Sequence, residues 1–131
     1  MKLKETYQQI KTRHQEEVNS FDKIFFAFSN EQFNEGLAKL NTDTKSIISI
    51  GSGGFVLKSH LQEFKGIFKR HKEEMKQFRK DKKNLLETLT YELRNHEYGY
   101  TYDETDALEA LGLTIEDVPV DIMKKAKALA V

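Results

Sequence analysis

Apolar residues recur at three- and four-residue spacings over much of this chain, a period that predicts a mostly helical protein. Leu3, Tyr7, Ile10, His14 and Val18 make one stripe of an otherwise polar helix over residues 3–19. The run Ile24-Phe25-Phe26-Ala27-Phe28 breaks that period. It is too short for a typical helix and rich in strand-forming side chains, so it predicts a buried strand. Ser29 or Asn30 can cap a second helix that ends near Leu40-Asn41, because their side-chain oxygens can accept from the first free backbone amides. Residues 45–50 and 55–58 read as short strands joined by Gly51-Ser52-Gly53-Gly54, where glycine permits the positive torsions of a tight hairpin.

A long helix opens near Ser59, with Leu61, Phe64, Ile67, Phe68, His71, Met75 and Phe78 along its apolar face. The charged block Asp81-Lys82-Lys83-Asn84 predicts a break. A further helix using Leu85, Leu86, Leu89, Leu93 and His96 follows, forming an antiparallel hairpin with the first; one uninterrupted helix over residues 59–97 is the alternative. Tyr100-Thr101-Tyr102 reads as extended, and Asp103 as the cap of a helix packed through Ala107, Leu108 and Leu111. Gly112 is a helix terminator, and Thr114 with Asp117 forms a capping pair. Pro119 constrains the connection to a last helix over residues 121–130. The expected fold is α+β: one compact domain over residues 1–131, predominantly helical, with a small antiparallel sheet.

Polar and aromatic chemistry concentrates in Asn95-His96-Glu97-Tyr98-Gly99-Tyr100-Thr101-Tyr102-Asp103. Glu92 lies one helical turn before His96, so a histidine–carboxylate pair can form there and serve acid–base chemistry. No serine or cysteine elbow accompanies it, and a packed structural histidine outweighs a catalytic one. His96 to Tyr100 lacks the second histidine of a zincin, and Asp103-Glu104-Thr105-Asp106 lacks a calcium loop's ordered ligands and glycine. The glycine run has neither Walker spacing nor a dinucleotide fingerprint. No catalytic, metal or cofactor residues are therefore assigned. In an extended segment Tyr98, Tyr100 and Tyr102 would share one face, an amphipathic patch suited to protein contact.

Composition narrows the picture further. With 38% hydrophobic and 32% charged residues and a single proline, the chain is expected to fold as a soluble domain. It has no cysteine, which removes disulfides and thiol chemistry and fits a cytoplasmic setting. The first residues lack the apolar core of a signal peptide, and nothing reaches membrane-spanning length, so no membrane partner is expected. Formal net charge is zero but unevenly spread. Residues 51–94 hold eleven basic against six acidic side chains, and residues 95–131 three against eight. The basic cluster over residues 69–83, with Lys76, Arg79 and Lys80 at its centre, can meet phosphates, although Glu73, Glu74 and Asp81 interrupt it.

Several segments taken together resemble a family of small uncharacterised proteins found in phages, conjugative elements and bacterial genomes. They are Phe25-Phe26-Ala27-Phe28 with Glu31-Gln32-Phe33 and Gly36, then Gly51-Ser52-Gly53-Gly54-Phe55. Asn95-His96-Glu97-Tyr98, Thr101-Tyr102-Asp103 and Ala110-Leu111-Gly112-Leu113-Thr114 complete the set. The resemblance implies a mobile-element context and supplies no activity. The expectation is a noncatalytic accessory protein that binds a host or element-encoded protein, with Lys76, Arg79, Lys80, His96, Glu97, Tyr98, Tyr100, Tyr102 and Asp103 as interaction candidates. A nucleic-acid accessory using residues 69–83 is the alternative, and a His96-dependent hydrolase the weaker one. The oligomeric state is left open.

Overall fold

The computed structural model describes residues 4–131. It is α+β, mostly helical with one small antiparallel sheet, as the periodicity predicts. The helices are α1 (Tyr7–Asn19), α2 (Asn30–Lys39), α3 (Leu61–Phe78), α4 (Lys82–Asn95), α5 (Tyr98–Thr101), α6 (Thr105–Leu111) and α7 (Val120–Ala130). The strands are β1 (Ile24–Phe26), β2 (Ile47–Gly51) and β3 (Gly54–Leu57). The chain divides into two compact units, Lys11–Lys72 and Met1–Ile10 with Glu73–Val131, and it crosses between them within α1 and within α3. Helix α1 starts later than expected, at Tyr7, and Leu3 of its expected stripe lies outside the described residues.

The unit Lys11–Lys72 holds the sheet, in the order β1-β3-β2. Phe25 pairs with Phe55 and Ser49 with Phe55, so these three share a face, while Ile24, Val56 and Ile48 share the other. Helix α2 covers the first face. Phe33 meets Phe25 and Phe55 at centroid distances of 5.9 and 5.1 Å, and Phe25 stacks on Phe55 at 5.4 Å. Gly36 lets α2 come down on the Phe25 ring, where any Cβ would overlap the ring carbons. Ser29 caps α2 by accepting from the Gln32 amide. At the β2–β3 turn, Gly51, Ser52 and Gly53 all take positive φ, and the pairing is irregular between Ser49 and Gly51.

The strand expected to be buried at 24–28 is corrected in two respects. Only residues 24–26 pair, and of the three only Phe25 is buried; Phe26 is 58% exposed, and beyond the strand Phe28 is 77% exposed. The physical reason is position: β1 is an edge strand, and the second face shows apolar side chains of β1 and β2 to the surface. Apolarity alone does not say which face a partner element covers.

The unit Met1–Ile10 with Glu73–Val131 has an aliphatic core. Leu85, Leu89 and Leu93 of α4 pack with Ala107 and Leu108 of α6 and with Ile122, Met123, Ala126 and Ala130 of α7, and Tyr98 and Val118 complete the cluster. Asp81 begins α4 by accepting from the Lys83 and Asn84 amides, which hold its carboxyl below the usual range. Asn84 Nδ2 in turn donates to the Phe78 carbonyl at the end of α3. The break near Asp81 is therefore real. Helix α4 packs chiefly on α7 and then on α6, because its leucine stripe meets the small and branched residues those helices present.

Gly112 ends α6 at φ +67°, and the Leu113 amide bonds back to the Leu108 carbonyl at 2.9 Å, a Schellman closure. Asp117 accepts from the Thr114 amide at 2.8 Å and turns the chain toward Pro119 and α7. The extended segment expected at Tyr100–Tyr102 is overturned. Tyr98–Thr101 forms a single helical turn bracketed by two left-handed residues, Glu97 at φ 61° and Tyr102 at φ 54°. Burying the Tyr98 ring in the aliphatic core supplies the tertiary contact that outweighs the strand preference of alternating tyrosines.

Candidate functional site

His96 ends α4 as its C-cap, with 31% of its side chain exposed. Its Nε2 lies 3.4 Å from Glu92 Oε2, one helical turn earlier, as the spacing predicts. Glu92 itself is 2% exposed, and its other oxygen accepts the Tyr7 hydroxyl at 2.9 Å. Burial, and then that hydrogen bond, push the Tyr7 phenol well above its ordinary range, so it remains a neutral donor. The Tyr7 backbone amide donates to Glu87 Oε2 at 3.0 Å, and its ring meets Tyr91 edge-on at 5.3 Å. Tyr7, Glu92 and His96 therefore tie the start of α1 to α4. The Glu92 carboxylate is enclosed by this arrangement, and Thr88, four residues earlier on α4, is fully buried.

The tyrosines separate once the segment is helical. Tyr98 is buried, while Tyr100 is 87% and Tyr102 65% exposed. Tyr102 still touches Tyr98 edge-on at 5.8 Å, and Lys127 Nζ stands 5.9 Å from the Tyr98 ring centre. Lys127 also pairs with Glu104 at 3.5 Å. Those two side chains line a hollow of about 410 Å³ with Ile115, Val118, Val120 and Met123. Val120 is 85% and Ile115 46% exposed, and Lys127 links this hollow to the Tyr98 ring. Asp103 accepts from the Thr105 hydroxyl at 2.6 Å and the Thr105 amide at 2.9 Å, which lower its pKa and fix the turn into α6. Glu97 is exposed beside the tyrosines.

A family of unknown function (DUF7659) matches residues 6–130. The chain belongs to that family. No curated protein and no solved structure matches it.

In this DUF7659 member the basic candidates are not equivalent. Lys76 and Lys80 are exposed, but Arg79 is half-buried, and burial lowers its guanidinium pKa against the opposing pull of Tyr7. Among the described residues no group of three or more His, Asp or Glu side chains is placed to hold a metal ion.

The sequence reading missed a cluster in the unit Lys11–Lys72. Arg70 grips Glu17 with both terminal guanidinium nitrogens, Nη1 and Nη2, at 2.9 and 2.8 Å, and His71 Nε2 lies 2.6 Å from the same carboxylate. His71 is buried and stacks on His14 at 3.8 Å with the rings 7° from parallel. Arg70 and His71 together draw the Glu17 carboxyl down to about 2. The legible signal was local: His14 and Glu17 are three apart on a helix, and Arg70 and His71 adjoin. Their meeting across more than fifty residues was not legible.

Proposed function

We propose that this DUF7659 chain is a noncatalytic accessory protein that binds another protein through the region around Tyr100 and Tyr102. The observation that carries the reading is the exposure of these two rings, 87% and 65%. The same unit holds an apolar hollow rimmed by Glu104 and Lys127, and Lys127 stands 5.9 Å from the Tyr98 ring that Tyr102 touches. Tyrosine pairs a large apolar face with a polar tip, which suits a contact with a buried centre and a wet rim. Tyr98 anchors the turn from below, so the two exposed rings are presented on a fixed support. His96 and Asp103 fit this reading as groups that shape the turn. The resemblance to proteins of phages, conjugative elements and bacterial genomes adds the finer proposal: the partner is a host or element-encoded protein in the cytoplasm. No helix of the described residues is long and apolar enough to cross a membrane.

The test is capture from nuclease-treated host lysate with the wild-type chain and with Tyr100→Ala/Tyr102→Ala. We expect a stoichiometric protein partner that survives nuclease and binds the double variant at least about tenfold more weakly, the scale of losing a central aromatic anchor. Retained circular dichroism separates this from unfolding. Capture indifferent to both tyrosines would overturn the reading. A second reading, nucleic-acid contact, is favoured by one observation: Lys76, Lys80, Lys82 and Lys83 are all exposed around the turn into α4. It predicts binding that falls steeply with salt and disappears when Lys76 and Lys80 are neutralised.

A further inference from the structure

We infer that the groove along the outer face of α4 binds an acidic amphipathic helix, a surface separate from Tyr100 and Tyr102 and independent of the role proposed for them. The groove measures about 740 Å³ and is walled by α4 together with Gln8 of α1 and Leu129 of α7. That volume is within the range of specific binding sites, and a wall running from Lys83 to Asn95 spans some three helical turns. Its apolar contribution comes from Leu86, Tyr91 and Leu129, the last 51% exposed.

The charges select the occupant. Lys83 stands near the start of the groove and Arg94 near its end, eleven residues later, about 16 Å along the helix axis at 1.5 Å per residue. Neither pairs with a carboxylate among the described residues. Arg94 donates one Nη2 bond to the Leu129 carbonyl at 2.7 Å, which fixes the guanidinium at the groove and leaves further N–H donors. The groove's one acidic side chain, Glu87, already accepts the Tyr7 amide at 3.0 Å, and the Thr90 hydroxyl is used on the Leu86 carbonyl at 2.8 Å. The groove thus has a cation at each end and, between them, Leu86, Tyr91 and Leu129 beside the exposed Glu87 carboxylate. A partner helix with carboxylates three turns apart and leucines between them complements that pattern, laid in the groove by its apolar face.

The probe is a labelled synthetic helical peptide with glutamates eleven residues apart and leucines on the stripe between them; a lysine-ended version is the control. Binding is read by anisotropy and by amide shifts in NMR. We expect saturable binding of the acidic peptide that moves the Thr90, Tyr91 and Arg94 amides. Lys83→Glu with Arg94→Glu should weaken it by about tenfold or more, since two exposed pairs become repulsions. The same double variant should accept the lysine-ended peptide. Lys83→Glu alone leaves the Arg94–Leu129 bond intact and should give a smaller loss, so the test stands if the double variant unfolds. The inference is overturned by equal affinity for the two peptides, by no saturable binding at millimolar acidic peptide, or by shifts confined to another face. It is also overturned if the chain alone forms a dimer in sedimentation that Lys83→Glu abolishes, because a second copy would then be the occupant.

Discussion

Thr88 lies fully buried in α4, and its hydroxyl has no hydrogen-bond partner among the described residues. An unmade bond of this kind costs the desolvation of the group without return. Thr88→Val keeps the branched shape and removes the hydroxyl, so it should raise unfolding stability by about 1 kcal/mol. Urea denaturation checks this; a loss of stability would mean the hydroxyl is bonded. Glu17 is the opposite case, a carboxylate with partners on both oxygens. Its folded pKa, about 2, lies below its ordinary 4.5, so the folded state holds fewer protons between those values. Its contribution is therefore complete above about pH 4.5 and is lost as pH falls toward 2. Stability curves of the wild type and Glu17→Gln should converge over that window, and curves that stay parallel would remove Glu17 from the acid response.

Two opposing effects meet at Gly36, midway along α2. Helix propensity alone makes Gly→Ala favourable by about 1 kcal/mol. The added Cβ, however, would overlap the Phe25 ring, which is itself held by Phe33 and Phe55. Forcing a methyl into a packed aromatic cluster costs roughly 1–3 kcal/mol. Packing should win, so Gly36→Ala is expected to lower the melting temperature, and a rise would show that α2 can lift from the sheet at little cost. The same contest between local preference and tertiary contact shapes α5. Glu97 and Tyr102 both accept left-handed torsions that cost a non-glycine residue of order 1–2 kcal/mol each. Burial of the Tyr98 ring offsets this by about 1.5–3 kcal/mol. That turn is what sets Tyr100 and Tyr102 outward.

Across the whole molecule, charge balances to zero and the calculated isoelectric point is about 6.9. Near neutral pH there is little net repulsion between copies. Apolar side chains are meanwhile exposed in both units: Phe26, Phe28, Ile48 and Ile50 in one, Val120, Leu129 and Ile115 in the other. Self-association measured by light scattering across roughly pH 5 to 9 should therefore peak close to pH 6.9 and fall on either side as charge accumulates. A flat profile would mean that these patches are too dispersed to associate. The two units also differ in how they are packed. One is built on interlocking phenylalanines between sheet and helix, the other on leucine and alanine between helices.

Most of the helices and all three strands could be read from the sequence, because repeats of 3.6 and 2 record which side of an element is apolar. The cap at Ser29 and the stop at Gly112 were equally legible, since they satisfy backbone groups within a few residues of themselves; at Asp81 the break was legible and the capping role was not. The pairing of Glu92 with His96 was legible for the same reason. What the tertiary structure alone decided was which apolar face is covered and which remote groups meet. Phe25 and Phe26 are chemically identical neighbours, yet one is buried and the other 58% exposed. The tyrosine segment turned helical because a distant core accepted Tyr98. Glu17 found Arg70 and His71, and Tyr7 found Glu92, across separations no local pattern encodes. Short-range hydrogen bonding and periodicity are written residue by residue, whereas burial is a property of what the rest of the chain brings alongside.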